Sequence, residues 1–545
     1  MRRGMRVCSE DAYTVLECDG DDYVPAEECM IDHGRLCLDG ACVDPWQYAA
    51  PDVDDCAGDP HATAMNLAEK AAKYDEIVPR LHVHPDDKRA HDVRIAPETT
   101  EADATWEDVV DWRTGENDGL WTGLYIASQA FRYAATQSPE ALANLRVMMD
   151  GMDLGMRITG VPGVFTREYI TPGVDGMSCP ANTDAYIPDV EKDDNRWVKI
   201  DDEGYVVVWD PNLGDWSQTT HSVGTEFADY CWLDNVSKDE YAGHMFALHA
   251  VYKLVDDPDV RAMAASLLER VGDHLFTHDM AFTDWDGRLT EHGRMWPTAL
   301  DDFPGFNASM GLGYMKAAVL ASGREDLRDY YDDCLLQKSG PNNCIDRFLS
   351  VPVSYAEWLR WPGLYVGRDG CKSNWNNISM MFLSYAGLIW YEHEYPEIRE
   401  LAQRVFEDQM FRHNDNEREV AKQHNAAWAM LYAAMRDTRS GQDNAAIQDA
   451  ICTLQQFPET QAQVARDFGE DAYPTDTSCE SRFDGYYLTF DPVPVYERCA
   501  GTFTWWSNPY SHQICDEDLT SIKRPADFLL PYWMGRYFGF IDAGW

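Results

Sequence analysis

The chain has 545 residues, 45% hydrophobic and 12% aromatic, enough to bury a large core. Its 94 acidic against 45 basic residues leave a formal charge of -49, which repels nucleic acid and anionic membrane surfaces and suits a solvated surface in salty water. No apolar run approaches the length of a transmembrane helix, so a membrane-spanning helix is excluded as well.

Fifteen cysteines are many for a reducing compartment. Six of them, Cys8, Cys18, Cys29, Cys37, Cys42 and Cys56, fall among Asp, Glu and Gly at the start of the chain. This predicts an extracellular disulfide module over residues 1–59. Zinc is the competing reading, but the spacings are not paired CxxC and only His33 lies nearby. The odd total leaves at least one thiol free if the others pair within the chain. The basic start Met1-Arg2-Arg3 is followed by no apolar segment, so no secretory signal is visible. The cysteines alone point to the outside or the surface of the cell.

A helix is expected at about residues 61–74, then a polar stretch to about residue 105. Next comes the segment ENDGLWTGLYIASQAFRYAATQ, whose Leu120, Trp121, Leu124, Tyr125, Ala127 and Phe131 are too broad a set for one exposed face. It should be buried on several sides. Ser138-Pro139-Glu140 punctuates, with Ser as N-cap, Pro at the first helical position and an acid in the first turn. Leu142, Leu145, Met149, Met152 and Met156 then form one narrow stripe, an outer helix leaning on an inner one.

The pattern recurs. SKDEYAGHMFALHAVYKLVD is a second broad helix, Asp257-Pro258-Asp259 its punctuation, and Val260, Ala264, Leu267, Val271 and Leu275 its outer stripe. FNASMGLGYMKAAVLASG, NWNNISMMFLSYAGLIWY and EVAKQHNAAWAMLYAAM each lead through a break to a shorter partner. DFLLPYWMGRYFGFI would supply a sixth inner helix that closes against the N-terminal one. The uneven spacing of the breaks excludes a short solenoid repeat, and the long insertions between hairpins fit a closed ring. Residues 160–235 read as a rim insertion with a strand at Tyr205-Val206-Val207-Val208-Trp209 and a candidate Cys179 to Cys231 bridge. Residues 459–545 read as a wrapping C-terminal segment, with Cys452, Cys479, Cys499 and Cys515 available for pairing; Cys334 and Cys344 would close a short loop. The whole of residues 60–545 is expected to form one mainly α domain.

Polar and aromatic clusters precede each broad helix, and in an alternating ring all inner N-termini face one mouth. Such helix ends present free N–H groups and positive dipoles. Asn117, Trp121, Tyr125, Asn307, Trp375, Asn377, His424, Asn425, Trp506 and Asn508 would line this mouth, with aromatic faces for sugar C–H surfaces and amides for hydroxyls. Taken singly, each cluster is also what ordinary N-caps and packing aromatics look like.

At the level of architecture the chain resembles the six-hairpin, (α/α)6 toroid group of glycoside hydrolases and polysaccharide lyases, over about residues 60–545. The resemblance rests on the hairpin pattern and carries no family-specific motif, so the site residues come from position alone. It implies a secreted enzyme on a polysaccharide or oligosaccharide. A hydrolase needs a carboxyl acid and a second carboxylate; Asp118 and Asp239 stand first, with Asp234, Asp301 and Asp302 at equivalent mouths. A lyase needs a Tyr or His base, for which Tyr241 and His244 share one helical face. A glycan-binding protein without catalysis would use the same mouth. The segment 284–294 reads as a hairpin turning at Asp286-Gly287, from which Glu291, His292 and Arg294 reach the mouth. No cofactor is expected; calcium is the open alternative wherever Asp clusters, though no stretch fits an EF-hand loop. Walker A, GxSxG and HExxH motifs are absent from the sequence.

Overall fold

The computed structural model describes residues 6–8, 14–18, 23–28, 36–38, 41–43, 51–113, 115, 117–187, 195–297, 304–336, 354–363, 371, 374–412, 418–437, 441–466, 472–481, 487–500, 508–511 and 514–545. In chain order its helices are α1 (Leu67–Ile77), α2 (Asp118–Thr136), α3 (Pro139–Arg157), α4 (Lys238–Leu254), α5 (Pro258–Thr277), α6 (Pro304–Ser322) and α7 (Glu325–Asp329). There follow α8 (Tyr355–Trp358), α9 (Trp375–Tyr391), α10 (Pro396–Val405), α11 (Ala426–Ala434), α12 (Gly441–Gln455) and α13 (Ala526–Tyr537). The protein is mainly helical, as the apolar periodicity predicts.

Capping sets the helix starts. Ser138 Oγ accepts from the Ala141 amide at 3.2 Å, and Pro139 follows it. Asp257 does the same for α5 through the Val260 amide at 3.1 Å, ahead of Pro258. Ser237 and Glu240 form a reciprocal capping box on α4. The expected helix at 419–435 is corrected: a 3-10 turn spans Val420–Lys422, His424 is left-handed at φ 52°, and α11 starts only after Asn425. A residue at positive φ cannot continue a right-handed helix, and the Asn425 carboxamide accepts from both the Ala427 and Trp428 amides.

Helices α2, α4, α6, α9, α11 and α13 are the more deeply buried set. They pair with α3, α5, α7, α10, α12 and α1 respectively. Among themselves, α13 packs on α2, α2 on α4, α4 on α6 and α9, α6 on α9, α9 on α11, and α11 on α13. The contacts therefore return to where they began.

The most extensive helix contact, α2 with α4, depends on two glycines. A Cβ on Gly123 would meet the Gly243 carbonyl, and a Cβ on Gly243 would meet the Leu120 backbone, both well inside van der Waals contact. At the far ends of the helices, buried lysines take up terminal carbonyls. Lys70 Nζ donates to Leu454, Gln455 and Phe457 at the end of α12, at 3.0, 3.0 and 2.7 Å. Lys253 donates to the Trp390 carbonyl near the end of α9.

The rim insertion is a five-stranded antiparallel sheet in the order 215–222, 205–210, 197–200, 231–233, 168–170. The expected strand is present as Tyr205–Asp210, and Cys179 is bonded to Cys231. A hairpin of Ala281–Thr283 and Leu289–Arg294 turns through Gly287 at φ 74°. A four-stranded sheet joins the two ends of the helical body: 462–463, 518–522, 92–95 and 109–113, with Ile522 opposite Val93. The Cys56–Cys452 disulfide adds to this closure, while Cys371–Cys479 and Cys499–Cys515 tie down the C-terminal segment. Cys56 is thus tied to α12, and Cys18 is a buried free thiol. Cys334 is disulfide-bonded; Cys344 lies outside the described residues.

Substituting Gly243→Ala should lower the unfolding free energy by about 1–3 kcal/mol through overpacking at the α2/α4 crossing. Gly58→Ala, where a Cβ meets nothing within 4 Å, is the matched control and should leave the denaturation midpoint unchanged.

Candidate functional site

Asp118 opens α2, yet its carboxyl is 1% exposed. Oδ2 lies 2.6 Å from His91 Nδ1, and Oδ1 lies 2.7 Å from Arg524 Nη1. The other ring nitrogen of His91 is 2.6 Å from Asp87 Oδ2. Arg89 grips Asp87 at 2.8 Å and also pairs with Glu168, while Arg524 Nε reaches Asp92 at 3.3 Å. An imidazole with a carboxylate at each nitrogen carries both protons, so His91 is a buried cation.

The proton affinities follow from this arrangement. Burial opposes charge on His91, but Asp118 and Asp87 outweigh it and push its pKa up to about 9. Burial likewise opposes ionisation of Asp118, and Arg524 with His91 overcomes it, holding the carboxyl well below the usual range. Glu168 goes the other way: burial pushes it up to about 8, Arg89 counters only part of the rise, and Asp118 adds to it. The buried Asp87 and Asp118 and the half-buried Asp92 thus face two guanidiniums and an imidazolium, with Glu168 as the neutral member near pH 7. Asp118 is fixed by two cations and has no proton to give.

The mouth itself is built one turn over, at the start of α4. Asp239 is half-buried, and its Oδ2 accepts from Asn376 Nδ2 of α9 at 2.8 Å. Burial raises its pKa, with Arg167 the strongest opposing influence. Next to it, Glu240 is fully buried; its Oε2 accepts from Ser237 N at 2.9 Å and Ser237 Oγ at 2.6 Å, and its Oε1 lies 3.3 Å from Arg167 Nε. Burial pushes Glu240 up to about 7. Lys238 Nζ donates to Asn307 Oδ1 of α6 at 2.8 Å and to the Arg294 carbonyl at 3.2 Å. Asn307 Nδ2 in turn donates to the Trp296 carbonyl at 3.2 Å. Trp375, at the start of α9, donates to Gln423 Oε1 ahead of α11 at 2.9 Å. Hydrogen bonds therefore connect the N-terminal ends of α4, α6, α9 and the segment before α11. Asn117 at the start of α2 joins them through Arg167 Nη2, 3.4 Å from its Oδ1.

The remaining expected residues divide. Trp121 is half-buried beside this opening on α2. Tyr125 is buried, and its hydroxyl accepts from Asn144 of outer helix α3 at 3.2 Å, away from the mouth. Asp234 is buried in the rim, accepting from Arg196 N at 2.8 Å and Trp285 Nε1 at 3.2 Å. Tyr241 is fully buried, stacks on Phe282 and donates to the Gly163 carbonyl at 2.6 Å; burial raises its pKa far above the ordinary value. His244 stacks on Phe165 beneath the mouth, and burial lowers it to about 3, so it is neutral. It lines a small cavity together with Arg89, Gly119, Thr122 and Arg167.

Asn425 caps α11, and His424 beside it is exposed with Nδ1 2.5 Å from Asp449. Asn377 gives its backbone N–H to the Asn374 cap, and Asn508 Oδ1 accepts from Tyr510 N at 2.9 Å. Trp506, Asp301 and Asp302 lie outside the described residues. Sequence reasoning passed over Arg167, Asn195, Asn235 and Asn376. Asn376 stood next to a chosen residue in the NWNN motif; Arg167, in an irregular insertion, shows no pattern at all. Among the described residues no group of three or more His, Cys, Asp or Glu side chains is arranged to hold a metal ion.

No protein-family model and no curated protein matches the chain. In structure it is similar to a family 76 glycoside hydrolase from a bovine Bacteroides thetaiotaomicron strain, over 87% of this chain and 78% of that one, with TM-score 0.35 and 11% identity. It is also similar to the cellulase Cel9M of C. cellulolyticum, over 88% and 100% of the two chains, with TM-score 0.38 and 10% identity. A third likeness is to the catalytic domain of Clostridium thermocellum CelT, over 88% and 98%, with TM-score 0.37 and 11% identity. Glycoside hydrolases are therefore among its structural neighbours. Likenesses of this size carry no reaction and no residue role over to this chain.

The buried network makes stability depend on pH in a definite direction. His91, raised from 6.5 to about 9, and Glu168, raised from 4.5 to about 8, hold more protons folded than unfolded. Their contribution declines as pH climbs from the unfolded values through 8 and 9. Asp87, Asp92 and Asp118 are depressed, so theirs is lost below the ordinary 3.8. The network's own share, read as the difference in thermal midpoint between wild type and His91→Gln, should be largest between about pH 4 and 6.5 and shrink by pH 9. The buried His82, His244, His249 and His274, whose pKa values burial lowers, cost the whole fold stability below about pH 6.5. Asp118→Asn should destabilise by roughly 3–5 kcal/mol at pH 6, because it takes from His91 and from Arg524 one of the two carboxylates that face each of them; denaturant titration would measure this.

Proposed function

We propose that the chain is a carbohydrate-cleaving hydrolase built on one (α/α)6 toroid, with Asp239 as its general acid. One observation carries the reading. Among the described carboxyls whose pKa is raised, Asp239 is the half-buried one, at a mouth where amides from several helices converge, while Asp75, Glu168, Glu240 and Glu392 are buried. A carboxyl whose pKa burial raises and that meets solvent is the kind of group that passes a proton to a glycosidic oxygen. Asn376 fixes its orientation, and the half-buried Trp121 offers C–H contacts of the kind sugars use, while Asn307, fully buried between Lys238 and the Trp296 carbonyl, supports the site from behind.

The second carboxylate is Glu291, exposed on the 289–294 strand. Its amide is held by Asn235 Oδ1 at 2.9 Å, two residues before the α4 cap, which brings the strand against the start of α4. There it serves to activate water or to stabilise positive charge on the sugar. Elimination from a uronate finds less support, since the Tyr241 phenol is committed to a carbonyl and holds its proton tightly. The disulfides, together with the acidic surface, favour an extracellular protein, with residues 1–59 as a cysteine-rich N-terminal module that Cys56 ties to α12, and no cofactor required.

The test is incubation of oxidatively folded protein with neutral and uronate polysaccharides, with mass spectrometry of the soluble products. Saturated fragments carrying added water are expected. Asp239→Asn should lower kcat by about 10²–10⁴-fold with the thermal midpoint kept. Fragments with an unsaturated end would overturn the hydrolase reading, and full activity in Asp239→Asn would overturn the assignment of the acid.

A further inference from the structure

Arg167 enters the mouth from the rim insertion, one residue before the strand Glu168–Ile170, and is 7% exposed. Its Nη1 donates to Asn195 Oδ1 at 2.8 Å and to the Asn235 carbonyl at 3.4 Å. Nη2 donates to Asn117 Oδ1 at 3.4 Å, and Nε lies 3.3 Å from Glu240 Oε1. One rigid planar group thus touches the start of α2, the segment before α4, the first turn of α4 and the rim. A guanidinium can serve these directions together because its five N–H groups are fixed in one plane.

We propose that Arg167 is the positioning residue of this mouth: it locks the first turn of α4 against α2 and the rim, and thereby sets the proton affinity of Asp239 without touching substrate. This rests on the reading of Asp239 as the acid. Several charged or titratable groups face Asp239: Lys238 and Glu240 from its own helix, His292 from the hairpin, Tyr314 from α6 and Arg167 from the rim. Lys238 is occupied by Asn307 and the Arg294 carbonyl, and His292 is mostly exposed, so solvent screens it. Arg167 is the buried cation of the set, and burial is where a charge acts most strongly on a neighbour.

The experiment follows the carboxyl directly, in the full chain. Infrared difference spectra of protein carrying 13C-labelled aspartate, taken against Asp239→Asn, give the titration of Asp239. In Arg167→Gln the midpoint should rise by about 1 pH unit or more, and on any glycan the protein cleaves, the basic limb of kcat should move up with it. In Arg167→Lys, whose ammonium cannot span Asn117, Asn195 and Glu240 together, the shift should be smaller and in the same direction. A midpoint at the wild-type value in whichever of the two variants folds overturns the proposal. A shifted midpoint in a protein that cleaves no glycan upholds the positioning role and overturns the catalytic reading of Asp239.

Discussion

The structure depends on a largely buried line of alternating charges that runs Asp92, Arg524, Asp118, His91, Asp87, Arg89 and ends on the neutral Glu168. These residues come from the first strand of the closing sheet and the turns before it, the start of α2, the rim insertion and the link into α13. They are the places where the beginning and the end of the helical body meet. Each charge on its own would be very costly to bury; as alternating partners they hold the seam only when every element is in place. The network is therefore as much a condition on assembly as a source of stability. It also explains why Asp118, at a promising helix start, is withdrawn from solvent.

The helices around this seam are polar in both senses. The N-terminal ends of α2, α4, α6 and α9 are joined through amides, carboxyls and an arginine, on the positive ends of the helix dipoles. Two C-terminal ends receive buried lysines instead, Lys70 at α12 and Lys253 at α9. Burial brings Lys70 down to about 7, yet three backbone carbonyls hold it in place.

The helical hairpins were legible because their causes are local. Ser138-Pro139 and Asp257-Pro258 carry cap and first-turn residues side by side, and the apolar breadth of α2, α4, α6 and α9 reads directly as burial on several sides. The start of α11 was misjudged because the left-handed backbone at His424 leaves no mark in composition. At the site, Asp239, Asn307 and Trp375 were within reach of position alone. Asn376 was missed by one residue, since which amide of NWNN turns inward is set by the rotation of α9 against α4.

By itself the sequence determined the hairpin order, the caps, the rim strand at 205–210 and an acidic, cysteine-rich character. Each follows from neighbours a few residues apart or from composition. Only the tertiary structure decided which carboxyl stays buried between cations and which is half-exposed with its pKa raised by burial. Asp118 and Asp239 look alike along the chain, each an acid at the start of a broad helix. They differ because Arg524, 406 positions from Asp118, folds back onto the first, while the second faces Asn376 across the opening. Proton affinity depends on charges within a few ångströms, and those come from residues hundreds of positions away.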